Sequence, residues 1–337
     1  MVENIKSQYF QKILLSSLNE KTKLDLIKYN KHFQNLMNIK LINYKLYKGN
    51  YIVFEIKGKG KEYKYNGELE FEGEYLNGKR NGKGKKYNVH GELEFEGEYL
   101  NGKRNGKGKE YNRYGKLIFE GEYLNGKRNG KGKEYYENGK ISFEGEYLNG
   151  ENWNGKLYDP ENINIYEIKN GQGHIKKYYY YGDLDFEGDY LNGKKNGIGK
   201  EYFNGELIFE GEYLNGDKNG IGKEYYKSGQ LLFVGEYLKG KQWNGKLYDP
   251  ENINIYEIKN GKGFIKKYNY WGELKFEGEY LNGERNGKGK EYNEDGELEF
   301  EGEYLNGERN GKGKEYYYGK LEFEGEYLNG KRWNGKG

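Results

Sequence analysis

Cysteine is absent from this 337-residue chain, proline occurs twice and histidine three times. Without cysteine there is no disulfide framework, and with no Asn-x-Ser/Thr sequon nothing points to a secretory life. The opening MVENIKSQYFQ has no basic stretch followed by an apolar run, and no segment is apolar for long enough to span a bilayer. These absences predict a cytoplasmic protein. Net charge is also missing: 57 basic side chains against 54 acidic ones leave only +3, too little field to imply nucleic acid. The mean hydropathy of −1.20 would suit a disordered chain. What opposes disorder is the aromatic content of 17%, carried by 39 Tyr and 15 Phe. Rows of such rings can build a core where Leu, Val and Ile are scarce.

What is present in quantity is glycine, 55 residues of it, arranged in repeats. The string FEGEYLNG or a close variant begins at Phe71, Phe95, Phe119, Phe143, Phe186, Phe209, Phe233, Phe276, Phe300 and Phe323. Most steps are 24 residues, two are 23 and two are 43. The single-residue deletions fall between Tyr and Gly, as in Tyr202-Phe203-Asn204-Gly205, which marks that place as a loop. A longer period lies over the short one: Trp153, Trp243 and Trp333 are 90 residues apart, and WNGKLYDPENINIYEIKNG at 153–171 recurs unchanged at 243–261. The chain therefore reads as a segment over 1–48 followed by an array over 49–337, with blocks of about 49–155, 156–245 and 246–337.

Within a unit, Leu69, Phe71, Gly73 and Tyr75 alternate with Glu68, Glu70, Glu72 and Glu74, the period of a half-buried strand. Asn77-Gly78 and Asn81-Gly82 supply turn residues that tolerate positive φ, and Lys83 to Tyr87 forms the return strand. Gly82 and Gly84 share a face and leave room for a neighbouring ring. One hairpin alone is marginal in water, so the units must stack. The expected fold is mainly β: an elongated solenoid of stacked antiparallel hairpins, roughly twenty-five strands and about 120 Å long, with a short helical cap at its N-terminus.

The unit FEGEYLNGKRNGKGKEY resembles the MORN (membrane occupation and recognition nexus) repeat, with its aromatic-x-Gly-x-aromatic start and Gly-x-x-x-Gly-x-Gly continuation. The resemblance covers about residues 50–337. Phe replaces the usual first Tyr, and Tyr the usual Trp. It implies a scaffold that binds partner proteins, with phosphoinositide binding or membrane tethering as an alternative. In the N-terminal segment, Ile5, Tyr9, Phe10, Ile13, Leu14 and Leu18, and then Leu26, Ile27, Tyr29, Phe33 and Leu36, fall at helical spacing, with Asn19 able to cap the second helix. ILLSSLNEKTKLDLIKYNKHFQNL is similar to an F-box core, which implies the alternative of a ubiquitin-ligase adaptor whose array captures substrate.

Catalysis fails on inventory. His90 sits in a variable turn, His174 is replaced by Phe264 in the next block, and Glu72 and Glu74 recur in nearly every unit, which no single active site would require. The expectation is a non-enzyme with no cofactor, metal or small-molecule substrate. No Gly-Lys is followed by Ser or Thr, so the glycines are not phosphate loops. The basic turns Lys79-Arg80, Lys103-Arg104 and Lys127-Arg128 would align into a cationic ridge able to contact anionic lipid or a partner protein. Asp217, Glu284 and Glu308 interrupt that ridge later in the chain. The repeating surface also suits homo-oligomers. The three equivalent Trp residues are expected to fill the step at block boundaries.

Overall fold

The structure, a computed structural model, describes residues 17–18, 20–27, 31–37, 44–47, 50–54, 58–251 and 253–336. The chain divides into two compact units, Met1–Asn152 and Trp153–Gly337.

Among the described residues, the short helices α1 (Glu20–Ile27) and α2 (Lys31–Met37) precede the sheet of the first unit. Leu26 and Ile27 fall in α1, and Phe33 and Leu36 in α2, as their spacing predicts. The first helix expected over Ile5–Leu18, the Asn19 cap, Tyr29 and the Ile13-Leu14 opening of the F-box-like stretch lie at or beyond the edge of the described residues. The sheet then runs in strict chain order. One repeat shows why. β4 (Leu69–Leu76) turns through Asn77 and Gly78, at φ of 51° and 72°, into β5 (Lys79–Tyr87). Left-handed backbone at both central residues makes the two-residue turn whose twist matches the flanking strands. A short loop then leads to β6 (Leu93–Leu100), β7 (Lys103–Tyr111), β8 (Leu117–Leu124), β9 (Lys127–Tyr135) and β10 (Ile141–Leu148).

The register puts glycine opposite glycine. Gly73 faces Gly84, which faces Gly97, which faces Gly108. This row seats the core. A side chain on Gly84 would come 2.2 Å from Cζ of Phe71, so the ring lies directly on the backbone. Phe71, Phe95 and Phe119 are fully buried. Each meets two tyrosines edge-on, Phe71 touching Tyr75 at 5.6 Å and Tyr99 of the next repeat at 5.1 Å between centroids. Repeats are thus welded by rings rather than by aliphatic residues.

Two expectations change in detail. The ring accommodated by Gly84 is mainly that of its own hairpin, and Gly82 faces no ring: a side chain there would meet the Glu74 carboxylate at 2.0 Å. Nor is Asn81 a turn residue. It lies within β5, where its Oδ1 accepts the Asn101 amide at 3.3 Å while the Gly102 amide donates to the Arg80 carbonyl at 2.8 Å. Asn81 therefore pins the turn of one repeat to the strand of the previous one.

In the second unit, β11 (Glu151–Tyr158) pairs with the short β12 (Ile165–Ile168). An eight-stranded sheet runs from β13 (Gly173–Tyr178) to β20 (Ile255–Ile258), and a seven-stranded one from β21 (Gly263–Tyr268) to β27 (Lys331–Lys336). Where the repeat is one residue shorter, Asn204-Gly205 makes a two-residue turn at φ of 50° and 81°. The DPENIN loops are organised by Asp159 and Asp249, both buried; Asp159 accepts the amides of Ile163 and Asn164 at 2.8 and 3.0 Å. Trp153 and Trp243 do fill a step, their rings approaching Gly171 and Gly261, whereas Trp333 is 71% exposed.

Candidate interaction surfaces

The six basic turn residues divide by one position of the strand. Arg80, Arg104 and Arg128 turn onto the aromatic face, their guanidinium carbons 4.3, 4.2 and 4.0 Å from the centroids of Phe71, Phe95 and Phe119. Arg80 also pairs with Glu62 at 2.8 Å, and Arg128 bridges Glu110 and Glu134. Burial alone would lower the pKa of Arg128, but Glu134 and Glu110 outweigh it and the net shift is upward. These arginines close the core and do not form an outward ridge. Lys79, Lys103 and Lys127 are exposed, each opposite a leucine, Leu76, Leu100 and Leu124, that is itself about half exposed. Among the described residues no ion pair engages these three lysines.

The opposite face of the first unit is charged, and it carries a groove of about 1300 Å³ across eight strands, from β3 (Lys59–Tyr63) to β10. Its floor is the glycine row. Its walls are the residues before and after each glycine, which are both Lys on one strand and both Glu on the next. Alternation follows from the register, which sets Glu72 opposite Lys85 and Lys85 opposite Glu96. One wall is neutralised along its length by pairs such as Lys109–Glu120 at 3.6 Å and Lys133–Glu144 at 2.9 Å. Its glutamates also accept tyrosine hydroxyls, Tyr87 to Glu72 at 2.7 Å. Burial, and then that bond, pushes the Tyr87 hydroxyl up to about 12.

The other wall differs. Glu74, Glu98 and Glu122 turn toward the backbone and accept the amides of Lys83, Lys107 and Lys131 at 3.1, 3.2 and 3.0 Å. Lys59, Lys83, Lys107 and Lys131 are exposed, and among the described residues no ion pair engages their ammonium groups. This wall escaped sequence reasoning. Its signal is the switch from Lys-Gly-Lys to Glu-Gly-Glu on successive strands, which by itself suggests only cross-strand charge pairing. In the second unit the same position holds Ile198, Ile221 and Phe264, all more than half exposed, and His174, whose Nδ1 lies 2.8 Å from Asp189, while Lys288 and Lys312 keep the lysine.

Among the described residues, no three His, Cys, Asp or Glu side chains converge to hold a metal ion, and no helix is long and apolar enough to cross a membrane. His90 sits in an exposed turn, its backbone amide donating to Asn88.

Comparison with curated proteins finds no match. Among solved structures, one titled "Crystal Structure of TcdB2-TccC3-TEV" aligns at 10% identity over 83% of this chain and 15% of that one. Its TM-score of 0.16 carries no argument, and this chain spans about 15% of that chain's length. A family model of the MORN repeat matches residues 71–88, 95–112, 119–141, 186–205, 209–231, 276–297 and 300–319. With seven matched copies spread between residues 71 and 319, the chain is a MORN-repeat protein.

Proposed function

We propose that the chain is a non-enzymatic scaffold that binds a partner protein along the charged face of its first unit. The observation behind this reading is the groove: its glycine floor is open, its walls are rigidly spaced by the sheet, and one wall carries lysines that no ion pair engages among the described residues. A sheet whose core lies wholly on its other face can give up this one to a partner without losing stability.

Site-specific photo-cross-linking tests it. A photoreactive residue in place of Lys109 on the groove wall should yield discrete protein adducts, and one in place of Val89, in an exposed turn, should not. Equal yields from both, or none from Lys109, would overturn the reading.

A second reading rests on a different edge. Lys79, Lys103 and Lys127 beside Leu76, Leu100 and Leu124 combine cations with half-exposed apolar tips, the pairing that suits an anionic membrane surface. Here the lysines and not the arginines would meet lipid, because Arg80, Arg104 and Arg128 are held against phenylalanine rings.

A further inference from the structure

We infer that the groove of the first unit takes an extended, polyproline-type segment with a carboxylate at every third residue. This rests on the scaffold reading and specifies the chemistry of the partner.

Width comes first. The two walls rise from residues either side of each glycine, so their Cα rows stand about 6.7 Å apart. An α-helix with its side chains is about 10 Å across and cannot reach the glycine floor. A single extended chain can.

Spacing comes second. The exposed lysines Lys59, Lys83, Lys107 and Lys131 lie on alternate strands, β3, β5, β7 and β9. Neighbouring strands are about 4.8 Å apart, which puts the Cα atoms of these lysines at intervals of about 9.6 Å across the sheet. A polyproline helix rises about 3.1 Å per residue and repeats every three residues, about 9.3 Å, so it returns a side chain to the same wall almost in step. A β-strand does not, because its third residue points to the opposite side. The lysines are separated by Glu74, Glu98 and Glu122, whose carboxylates are fixed by backbone amides and cannot swing away at no cost. An acidic side chain that falls midway between two lysines lies over one of these and is repelled.

The repeats themselves mark this position as the adjustable one. Between LNGKRNGKGKEY at 100–111 and LNGKKNGIGKEY at 191–202, the residue before the last glycine changes from Lys107 to Ile198 with Arg104 to Lys195 as the only other change, and LNGERNGKGKEY at 281–292 returns to Lys288. Ile198 and Ile221 show that isoleucine is compatible with the strand at this place.

The experiment measures binding of fluorescent peptides to the full chain by anisotropy at low salt. The peptides are repeats of Pro-Pro-Glu, a peptide of the same composition with its glutamates clustered, and repeats of Pro-Pro-Lys. The Pro-Pro-Glu peptide should bind at least about tenfold more tightly than the clustered one, a difference of about 1.4 kcal/mol. The double variant Lys83→Ile, Lys107→Ile should lose most of that advantage, with circular dichroism unchanged. Equal affinity for the periodic and clustered peptides, or equal displacement by heparin regardless of period, would mean generic attraction and would overturn the inference. If no peptide binds while cross-linking from Lys109 still captures a protein, the scaffold reading survives and the acidic polyproline partner does not.

Discussion

The repeats of the first unit and those of β13 to β20 share one aromatic face and differ on nearly everything laid over it. Phe119 and Phe209 are both fully buried, and each meets two tyrosines edge-on at 5.3 to 5.5 Å. Over the ring, however, the first unit places Arg128 and the β13 to β20 repeats Lys218, at 4.0 and 4.1 Å from the centroid. On the opposite face, lysines give way to Ile198 and Ile221. The difference teaches which contacts define the fold. Ring on glycine is common to both regions; the cation that covers the ring is interchangeable, and the outward residue before the glycine is free to serve binding.

The most severe way to break the comparison is to remove the shared element. Phe119→Ala and Phe209→Ala should each destabilise by about 3 to 5 kcal/mol, because a fully buried ring leaves a cavity that the glycine floor cannot fill. Chemical denaturation should give similar losses for both. A clearly smaller loss for Phe209→Ala would mean that the two regions do not share one core.

Gly106→Val comes next. Gly106 has φ of 94°, and a side chain would meet Oε2 of Glu98 at 1.9 Å, so strain and displacement of the carboxylate should together cost about 1 to 3 kcal/mol. Gly220, at φ of 101° and facing Glu212, should respond alike. An unchanged melting temperature in either variant would remove the carboxylate-on-glycine contact from the account.

The loops sharpen the contrast through pH. In the first unit neutral Asn88 and Asn112 accept the amides of Glu92 and Lys116 at 3.1 and 3.0 Å. In the second, Asn269 and Asn293 do the same, and in the DPENIN loops carboxylates take this role at Asp159 and Asp249. Burial pushes both carboxyls up, but the hydrogen bonds from Ile163 and Asn164, and from Asn254 and Ile253, outweigh it and leave them below the usual carboxylate range. A depressed folded-state pKa gives stability that is present above the unfolded value and is lost as pH falls through the folded one. Hydrogen-exchange protection of the amides of Ile163, Asn164, Ile253 and Asn254 should therefore fall below about pH 4 while that of Glu92 does not. Asp249→Asn should cost about 1 to 2 kcal/mol at neutral pH and abolish that acid sensitivity in its own loop.

The exchange of clamps has a smaller effect. Arg128 reaches Glu110 and Glu134 with separate nitrogens, whereas Lys218 offers Glu224 and Glu201 a single ammonium at 2.9 and 3.6 Å. Arg128→Lys should destabilise by about 0.5 to 1 kcal/mol, since a forked donor becomes a point charge. Lys218→Arg should change stability in the opposite direction, and a double-mutant cycle with Glu110→Gln would assign the loss to the bridge.

Strand period, the Asn-Gly turns and the burial of Phe71 and its equivalents are legible in the amino-acid sequence, because they follow from a pattern copied ten times along it. What is not legible there depends on pairing. Nothing in KRNGKGK tells Arg80 from Lys79, because which of two adjacent cations turns inward is fixed only when the bulge between Gly73 and Tyr75 shifts the register. Gly82 and Gly84 look alike in the string, yet one faces a carboxylate and the other a ring. The lysine wall appears only when alternate strands are set side by side.

The smallest expected effect on stability separates the turn lysines from the fold. Lys79, Lys103 and Lys127 are exposed at positions where the later repeats carry Asp217, Glu284 and Glu308, so the architecture already tolerates reversal of charge there. Replacing all three with Glu should alter stability by less than about 0.5 kcal/mol per site. If the leucine-lysine edge meets anionic lipid, each lysine lost near the surface should remove about 1 kcal/mol of attraction, and the residual binding should weaken further with salt. Sedimentation with vesicles containing phosphatidylserine, compared with neutral vesicles, reads this directly. Loss of binding with an unchanged melt would place the lipid contact on these lysines. Equal binding by the variant and the parent chain would remove the membrane reading of this edge, and would leave the leucines there as ordinary exposed strand ends.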